Sequence, residues 1–348
     1  MSGSEELTDS VKRLAGQAGF VAVGVAGCLN VPGREAFSAW LKEGYHGQMD
    51  YLARNVDARF DLGRLVDGAA SVICLAVSYA PPAGPQDAQA AVGGPTTCFV
   101  ARYARGRDYH EVLKRRCRRM MEAIRRIAPE FRGRAFVDSA PVAERSLAAA
   151  AGLGWIGRNG CLIVPGLGSY VVLAEIVCNL ELVPDGPLES SCGDCDACVR
   201  ACPTGACLGD SLVDARRCLS YLTIEHRGPV GREFWPLWGT RVFGCDACQE
   251  ACPHNRSLPA GDVELAPAGP ALGGAGLGEV LRWSREDWDA ATRGSACRRA
   301  AWEMFLRNAA IAAGNSGDRS LAPALHELRG RGSVAPDLID WALDRLEP

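Results

Sequence analysis

The sequence predicts an α+β protein of three parts, and three observations support this fold class. Apolar runs of strand length alternate with amphipathic helical segments up to about residue 185. Two closely spaced cysteine runs follow, between about residues 186 and 260. Paired helical segments with short polar turns occupy the chain after residue 278. We therefore expect an α/β domain at 1–185, a cysteine-rich domain at 186–260, a linker at 261–277 and a helical module at 278–348.

The N-terminal part combines strands that are apolar on both faces with amphipathic helices. Leu7, Val11, Leu14 and Ala18 recur at helical spacing within residues 5–19. Continuous apolar runs indicate strands buried on both faces, and they lie at residues 20–26, 71–79, 134–138, 161–164 and 170–177. Further helices are predicted at 36–43, 48–55 and 141–151. The stretch 80–97, rich in Pro, Gly, Ala and Gln, predicts a loop.

The helix predicted at 111–127 is strongly basic. Glu111 and Glu122 are its acidic residues, and its arginines are Arg115, Arg116, Arg118, Arg119, Arg125 and Arg126. A solvated helix face explains such a run. An anionic partner, such as RNA phosphate, explains it equally. The residues alone leave both interpretations open.

The cysteine-rich part carries the most specific motif in the chain. Its first run, 192–203, matches the C-x2-C-x2-C-x3-C-P spacing of 4Fe–4S ligation. The second run, 245–253, has the last three cysteines of this motif, and Val242 occupies the position that would open it. Cys218, between the runs, is the nearest candidate for an eighth thiolate. Because the fourth cysteine of each run serves the other cluster in two-cluster proteins, we expect one cluster on Cys192, Cys195, Cys198 and Cys252 and a second on Cys202, Cys218, Cys245 and Cys248.

Zinc and disulfides are the alternatives for these cysteines. Paired C-x2-C units can hold zinc, but a third cysteine at the same spacing, followed by x3-C-P, exceeds a tetrahedral site. Disulfides are disfavoured because the polar, acidic segment 1–10 is unlike a secretory signal. The other cysteines show no mutual spacing and are expected to be small buried side chains; they are Cys28, Cys74, Cys98, Cys117, Cys161, Cys178, Cys207 and Cys297.

The composition excludes several classes of protein. The chain has 348 residues, 48% of them hydrophobic and 23% charged, which is typical of a globular protein with a sizeable core. No apolar run reaches the length of a membrane span, so we expect a cytoplasmic protein without a membrane partner. A net charge of −3 gives no overall attraction to nucleic acid, although local clusters of arginine can supply it.

The last part of the sequence is helical. Ser284 is placed to cap a helix that follows Trp283. Further helices are predicted at 298–313, 321–329 and 337–346. Paired helices joined by short polar turns indicate a small helical-repeat module.

Several segments, taken in order, resemble the epoxyqueuosine reductase family, the cobalamin-dependent iron–sulfur enzymes that complete queuosine in transfer RNA. The resemblance spans almost the whole chain, and its segments are 103–110, 137–145, 152–159, the two cysteine runs, 218–225 and 307–315. The reductive dehalogenases are related to that family through a shared architecture of cobalamin and two clusters.

The resemblance implies the reduction of epoxyqueuosine to queuosine at the wobble position of a tRNA anticodon, with loss of water. This is the final step of queuosine biosynthesis. The implied cofactors are two 4Fe–4S clusters and cobalamin, with cob(I)alamin generated by electrons that an external donor, such as a flavodoxin or a ferredoxin, passes through the clusters. The N-terminal domain would then bind cobalamin, the cysteine-rich domain would be ferredoxin-like, and the C-terminal module would be HEAT-like and bind tRNA. A monomer is expected.

The same resemblance implies roles for particular residues. Asp138 matches the family's general acid, and Asp108 and His110 match positions near the substrate. Donation at neutral pH requires a raised pKa of Asp138, which burial against cobalamin would provide. Without the resemblance, a helix N-cap is the favoured interpretation of Asp138, and a surface or structural role is the favoured interpretation of His110.

Cobalamin and tRNA contacts are also implied. The cobalamin contacts are Arg59, Tyr103, Asp138, Asn159, Ser220 and Asp246, five of which could equally be ordinary packing or capping residues. The D-x-H-x-x-G run that supplies a cobalt ligand in other cobalamin modules is absent from the sequence. Positive charge for tRNA would come from the basic helix and from Arg298, Arg299 and Arg307.

Two other classes of function remain open. A ferredoxin-type electron-transfer protein needs only the clusters, and a nucleic-acid-binding module could use the clusters as structural elements. A reductive-dehalogenase-like cobalamin reductase is a further alternative. Binding of added cobalamin distinguishes the cobalamin enzymes from both of the other classes.

Overall fold

The computed structural model describes residues 3–28, 31–81, 94–266 and 272–347. Its largest sheet has four antiparallel strands in the order β1–β2–β7–β4. These strands are β1 (Ala22–Gly27), β2 (Ser71–Ser78), β7 (Val171–Cys178) and β4 (Gly133–Phe136). Every residue of β2 is buried, because β2 lies inside the sheet and both of its faces are covered.

Helices cover both faces of this sheet, which explains its continuous apolar runs. On one face, Ile73 and Ala174 join a core with residues of the helices Gly3–Gln17 and Tyr109–Ile127. On the other face, Val72 and Cys74 pack with the helix Glu144–Ala150. An antiparallel sheet often leaves one face in water. Here neither face is free, so the usual alternation of apolar and polar residues is lost.

Six short strands form three pairs outside this sheet. β3 (Phe99–Val100) runs parallel to β10 (Arg241–Phe243), which joins the N-terminal part to the cysteine-rich part. The strand predicted at 161–164 is present as β6 (Leu162–Ile163), but it pairs with β5 (Trp155–Ile156) and not with the large sheet. β8 (Cys207–Gly209) pairs with β9 (Leu212–Val213).

The helices follow the predicted order with small shifts. In the N-terminal part they are Gly3–Gln17, Arg34–Lys42, Asp50–Ala53, Val56–Phe60, Tyr109–Ile127 and Glu144–Ala150. The cysteine-rich part has Ala197–Arg200, Leu219–Ile224 and Ala247–Glu250, and the C-terminal part has Leu277–Arg282, Arg285–Thr292, Trp302–Ser316, Ala322–Arg331 and Pro336–Leu346. The helix predicted at 48–55 is shorter, Asp50–Ala53, and a separate helix, Val56–Phe60, begins after Asn55, which adopts a left-handed conformation with φ of 59°. None of the helices in the described residues is long and apolar enough to cross a membrane.

The C-terminal part is helical, and the predicted cap is confirmed. Ser284 accepts a hydrogen bond from the Asp287 N–H, and the Asp287 carboxylate accepts one from the Ser284 N–H. This is the reciprocal capping box that begins a helix. The buried helix Trp302–Ser316 contacts β10 and the helices Leu219–Ile224 and Pro336–Leu346.

Arg307 corrects one expectation for tRNA binding. Its side chain is 7% exposed and donates hydrogen bonds to the carbonyl groups of Leu222, His226 and Gly228. Leu222 lies in the last turn of the helix Leu219–Ile224, whose carbonyl groups lack partners within the helix, and His226 and Gly228 follow that helix. A buried guanidinium in this position ties the C-terminal helices to the cysteine-rich part and is not available to RNA phosphate.

The predicted loop and linker are only partly visible. Residues 82–93 of the loop and 267–271 of the linker lie outside the described residues. The beginning of the predicted linker is held in place, since the N–H groups of Gly261 and Asp262 donate to the carbonyls of Ala80 and Ser78. The carboxylates of Asp262 and Glu264 pair with Arg116, which is 5% exposed. One arginine of the basic helix is therefore neutralised within the fold.

Candidate functional site

Four of the predicted cluster ligands line a single cavity. Their thiols come from both cysteine runs and belong to Cys192, Cys195, Cys198 and Cys252. Other walls of the cavity are formed by Arg158, Asn159, Ile163, Pro253 and His254. Cys252, at the end of the second run, thus lies with three cysteines of the first run. This is the set that the crossover rule predicts for one cluster.

The other four predicted ligands are also near neighbours. Burial raises the pKa of Cys218 to about 11, and negative charge on Cys245 and Cys202 raises it further. The pKa of Cys248 is raised well above its ordinary range by a hydrogen bond to Cys161 and by burial, and charge on Cys218 and Cys245 adds to this. Such mutual effects require that the thiols lie close together.

The donor chemistry of both sets fits iron–sulfur clusters. Each set consists of four thiols, the ligands that 4Fe–4S clusters use. Among the residues that the structure describes, no three Cys, His, Asp or Glu side chains are arranged to hold one metal ion. A four-iron cluster takes one thiolate per iron, so its ligands stand further apart than those around a single zinc ion.

Two further thiols lie beside the predicted ligands. Cys161 lies near enough to Cys248, and Cys207 near enough to Cys198, for each pair of thiols to shift one another's pKa. Sequence reasoning expected both to be ordinary core residues. Of the eight cysteines outside the predicted ligand sets, Cys207 and six others are buried, as expected, whereas Cys161 is partly exposed.

A separate cluster of titratable side chains forms where the basic helix begins. Asp108 caps this helix by accepting the His110 N–H at 3.0 Å. The same carboxylate oxygen lies 2.7 Å from Nδ1 of His110. Nε2 of His110 is 3.4 Å from Oδ2 of Asp138, and the Tyr109 hydroxyl donates to that oxygen at 2.6 Å. The structure therefore brings Asp108, His110 and Asp138 together in one hydrogen-bonded chain.

Asp138 has an unusual backbone conformation. It follows β4 after Val137 and has a φ of 52°, in the left-handed region. For a residue with a Cβ this costs on the order of 1 kcal/mol, and such strain persists only where the surroundings impose it. Its N–H donates to Oε1 of Glu144 at 2.5 Å, which helps to hold this conformation.

The electrostatics of this cluster differ from the expectation for Asp138. A hydrogen bond from His110 lowers the pKa of Asp138 below its ordinary value despite burial, and Tyr109 and Arg299 lower it further. Hydrogen bonds to Asp108 and Asp138 raise the pKa of His110 to about 9, although burial opposes the shift. The pKa of Asp138 is therefore lowered in this structure, whereas the expectation of a raised pKa concerns Asp138 buried against cobalamin. At neutral pH the acidic proton lies on His110.

Two of the predicted cobalamin contacts lie beside this cluster. Arg59 donates to the Val142 carbonyl at 3.1 Å, while its Nε is buried without a hydrogen-bond partner. Tyr103 packs edge-on against Tyr109, with ring centroids 6.0 Å apart. Burial is the main cause of the raised pKa of the Tyr103 phenol, and the negative charges of Asp138 and Asp246 raise it further. Tyr103 therefore lies between the acid–base cluster and the cysteine-rich part.

The other predicted contacts lie with the cysteines. Asn159 lines the cavity of the first cysteine set, and its side chain accepts the Cys161 N–H at 3.1 Å. Asp246 is 2% exposed and accepts the Arg102 N–H at 2.8 Å. Ser220 is partly buried in the helix that follows Cys218. None of these three side chains is hydrogen-bonded to Asp138 in the described residues.

Sequence reasoning missed three members of the acid–base site. Tyr109 and Glu144 stand inside the segments 103–110 and 137–145, which carried the family resemblance, but neither was singled out. Glu175 could have been found from its sequence context, because it is a lone charged residue within the apolar run 170–177.

The fold and the site together define an iron–sulfur oxidoreductase: two sets of four thiols adjoin an acid–base cluster within a mixed α/β fold. A family model described as epoxyqueuosine reductase QueG, DUF1730, matches residues 59–139, and one described as a 4Fe–4S double cluster binding domain matches residues 191–255. An epoxyqueuosine reductase of Pseudomonas aeruginosa is 40% identical over 345 residues, covering 97% of this chain and 94% of that protein. The chain belongs to the epoxyqueuosine reductase family.

Solved structures show the same fold. A crystal structure of an epoxyqueuosine reductase with an epoxyqueuosine-modified tRNA-Tyr stem loop matches with a TM-score of 0.86 and 25% identity, covering 99% of this chain and 91% of that one. The Bacillus subtilis epoxyqueuosine reductase matches with a TM-score of 0.88 and 25% identity, with the same coverage. In that structure the catalytic loop, which carries an aspartate, is swung out of the active site.

Proposed function

We propose that this protein reduces the epoxide of epoxyqueuosine to the alkene of queuosine at the wobble position of a tRNA anticodon. The reaction consumes two electrons and two protons, breaks both C–O bonds of the epoxide, forms a C=C bond and releases water. The observation that carries this proposal is the Asp138–His110–Tyr109 cluster, found in a member of the epoxyqueuosine reductase family. A related structure holds an epoxyqueuosine-modified stem loop.

The cofactors are two 4Fe–4S clusters and cobalamin. One cluster is held by Cys192, Cys195, Cys198 and Cys252, and the other by Cys202, Cys218, Cys245 and Cys248. The unpartnered Nε of Arg59 and the position of Tyr103 fit a polar cofactor beside Asp138. Cobalamin, when bound, supplies reducing equivalents to the epoxide-bearing ring, and an external donor such as a flavodoxin or a ferredoxin replenishes them through the clusters.

The side chains around Asp138 provide the protons. Oxygen leaves readily as water but poorly as an alkoxide, so a proton must reach it as the C–O bond breaks. His110 carries a proton at neutral pH, since its pKa is about 9. It lies 3.4 Å from Oδ2 of Asp138, and Asp138 delivers the proton to the substrate oxygen. Asp108 fixes the imidazole by binding Nδ1 and thereby directs Nε2 toward Asp138.

The tRNA is bound by exposed arginines. Four arginines of the basic helix are exposed, namely Arg118, Arg119, Arg125 and Arg126. Arg299 pairs with Glu225 and acts on Asp138, so it adds positive charge near the substrate. Together with Arg298, it places the C-terminal helical module, residues 278–348, in contact with tRNA. All of these groups come from one chain, so a monomer is sufficient.

The experiment replaces Asp138 by Asn and measures turnover. Protein with both clusters is supplied with cobalamin, a chemical reductant and epoxyqueuosine-containing tRNA, and the nucleosides are quantified by mass spectrometry. We expect Asp138→Asn to retain its iron and sulfide while kcat falls roughly 10²- to 10⁴-fold, the usual contribution of a general acid. Asp344→Asn, an exposed change in the last helix, is the matched control. Undiminished turnover by Asp138→Asn would remove Asp138 from the acid role, and a wild-type protein that binds no cobalamin would favour the electron-transfer alternative.

A further inference from the structure

Glu175 is a carboxyl group buried without a basic partner. It lies on β7 and is 0% exposed. Within the described residues, neither of its oxygens accepts a hydrogen bond from an N–H or O–H donor. Burial and the charge of the neighbouring Glu144 carboxyl raise the pKa of Glu175 well above its ordinary range. An ionised carboxylate without donors is very costly to bury, so Glu175 carries a proton.

Glu144 connects Glu175 to Asp138. It stands in the first turn of the helix Glu144–Ala150, opposite β7. Oε1 of Glu144 accepts the backbone N–H of Asp138 at 2.5 Å. The side chain of Asp138 then meets Tyr109 and His110. Glu144 therefore stands between the buried carboxyl of Glu175 on β7 and the acid–base cluster around Asp138.

We propose that Glu144 and Glu175 are positioning residues for the reduction. A proton on Glu175 is donated to Glu144, and the Glu144 carboxylate holds the Asp138 N–H. This hydrogen bond keeps Asp138 in its left-handed conformation, with its carboxylate at Tyr109 and His110. The role in turnover rests on the proposed function, whereas the hydrogen bonds themselves do not.

The proton balance of the pair depends on pH. Burial and the charge on Asp138 raise the pKa of Glu144 to about 7, and burial with charge on Glu144 raises that of Glu175 well above its ordinary range. Above about pH 7, Glu144 is ionised and accepts the Asp138 N–H as a charged group. Below it, Glu144 becomes neutral and the hydrogen bond weakens, since bonds to charged groups are about twice as strong.

Other charged and titratable groups act on this pair from every neighbouring element. They are Arg59 on the helix Val56–Phe60, Cys74 on β2, Tyr109 and Cys117 on the basic helix, Asp138 after β4 and Arg145 beside Glu144. Arg59 and Arg145 favour an ionised Glu144, while Asp138 and Glu175 oppose it.

The experiment follows amide hydrogen exchange in residues 137–143, in the cluster-containing protein without cobalamin. Exchange is corrected with an unfolded reference peptide at each pH from about 5.5 to 8.5. In the wild type we expect protection at Asp138 to fall about threefold to tenfold as the pH drops through 7. Glu144→Gln keeps an acceptor that does not titrate, so its protection should not depend on pH. Glu175→Gln keeps a donor for Glu144 and should behave like the wild type, whereas Glu175→Leu should lower protection at every pH.

The turnover assay supplies a second readout on the same variants. With epoxyqueuosine-containing tRNA, kcat/KM of the wild type should fall on the acid side of about pH 7. Glu144→Gln should lack this acid limb. Glu181→Gln, an exposed control, should retain it. The proposal is overturned if Glu144→Gln keeps the pH-dependent protection of the wild type, or if Glu175→Leu is protected as well as Glu175→Gln. If the exchange pattern holds but the wild type never reduces epoxyqueuosine, the proposed function fails and the positioning roles stand.

Discussion

Replacing Asp108 by Asn tests the source of the acidic proton. Asp108 makes two contacts, since it caps the basic helix and binds Nδ1 of His110. Asn is as good an N-cap as Asp and keeps an oxygen at the same place, so the helix and the imidazole should stay in position. The change therefore removes a charge while it preserves the geometry.

The expected shift can be worked out from the structure. A hydrogen bond to a charged group contributes about 1.5–3 kcal/mol and a neutral one about 0.5–1.5 kcal/mol, so the imidazolium loses roughly 1.4 kcal/mol of stabilisation. This equals about one pKa unit. The pKa of His110, about 9 in the wild type, should therefore fall to roughly 8. Asp138 remains as the second anionic partner, which limits the drop.

The assay is the pH dependence of kcat/KM on an epoxyqueuosine-containing stem loop, together with the titration of His110 followed by NMR. If protonated His110 supplies the proton, the basic limb of the profile moves down by about one unit in Asp108→Asn. Asp344→Asn should leave the limb in place. A limb that stays at its wild-type pH, while NMR shows the His110 titration displaced, would refute the assignment of the acidic proton to His110.

Three further predictions follow from the same structure. Protonated His110 stabilises the folded state by about 3 kcal/mol at pH values below its unfolded pKa of 6.5, and this stabilisation is lost as the pH rises through about 9. In urea unfolding, Asp108→Asn should therefore be less stable than the wild type by about 1.4 kcal/mol at pH 6. Above about pH 9.5 the two proteins should be equally stable. Cys218→Ala should reduce the iron content from about eight to about four per chain while Cys117→Ala, in the core, leaves it unchanged; a full iron content in Cys218→Ala would contradict the second ligand set. Arg307→Met should lower the free energy of unfolding by about 1–3 kcal/mol, because it leaves the buried Leu222 carbonyl without a donor and removes two part-buried hydrogen bonds. A lower tRNA affinity without a change in stability would show instead that Arg307 contacts RNA.

The cysteine spacing carried most of what could be predicted about the cofactors. Spacing of two and three residues fixes how thiols converge within one run, and the crossover rule extends this to the second run. The grouping of Cys252 with Cys192, Cys195 and Cys198 around one cavity needed no further information. The same reasoning failed for Cys161, because its contact with Cys248 joins segments that are distant in the sequence and share no motif.

Burial decides whether an arginine is available to an external partner. In the sequence, Arg116 and Arg307 resemble their exposed neighbours in the basic helix and the C-terminal module. In the fold, Arg116 is enclosed by Asp262 and Glu264, and Arg307 supplies donors to helix carbonyls. Hydrophobic periodicity locates a helix but does not reveal which of its long polar side chains meets a buried acceptor.

The sequence by itself predicted the order of strands and helices along the chain and the two cysteine sets, since these follow from local spacing and from patterns along the chain, and the family resemblance pointed to the segments around Asp138. Tertiary structure alone decided where the acidic proton lies. Its position depends on the distances from His110 to Asp108 and Asp138, on the buried pair of Glu144 and Glu175, and on the left-handed turn at Asp138. A pKa is set by every charge and donor within a few ångströms, and the residues that supply them here come from four separate segments of the chain.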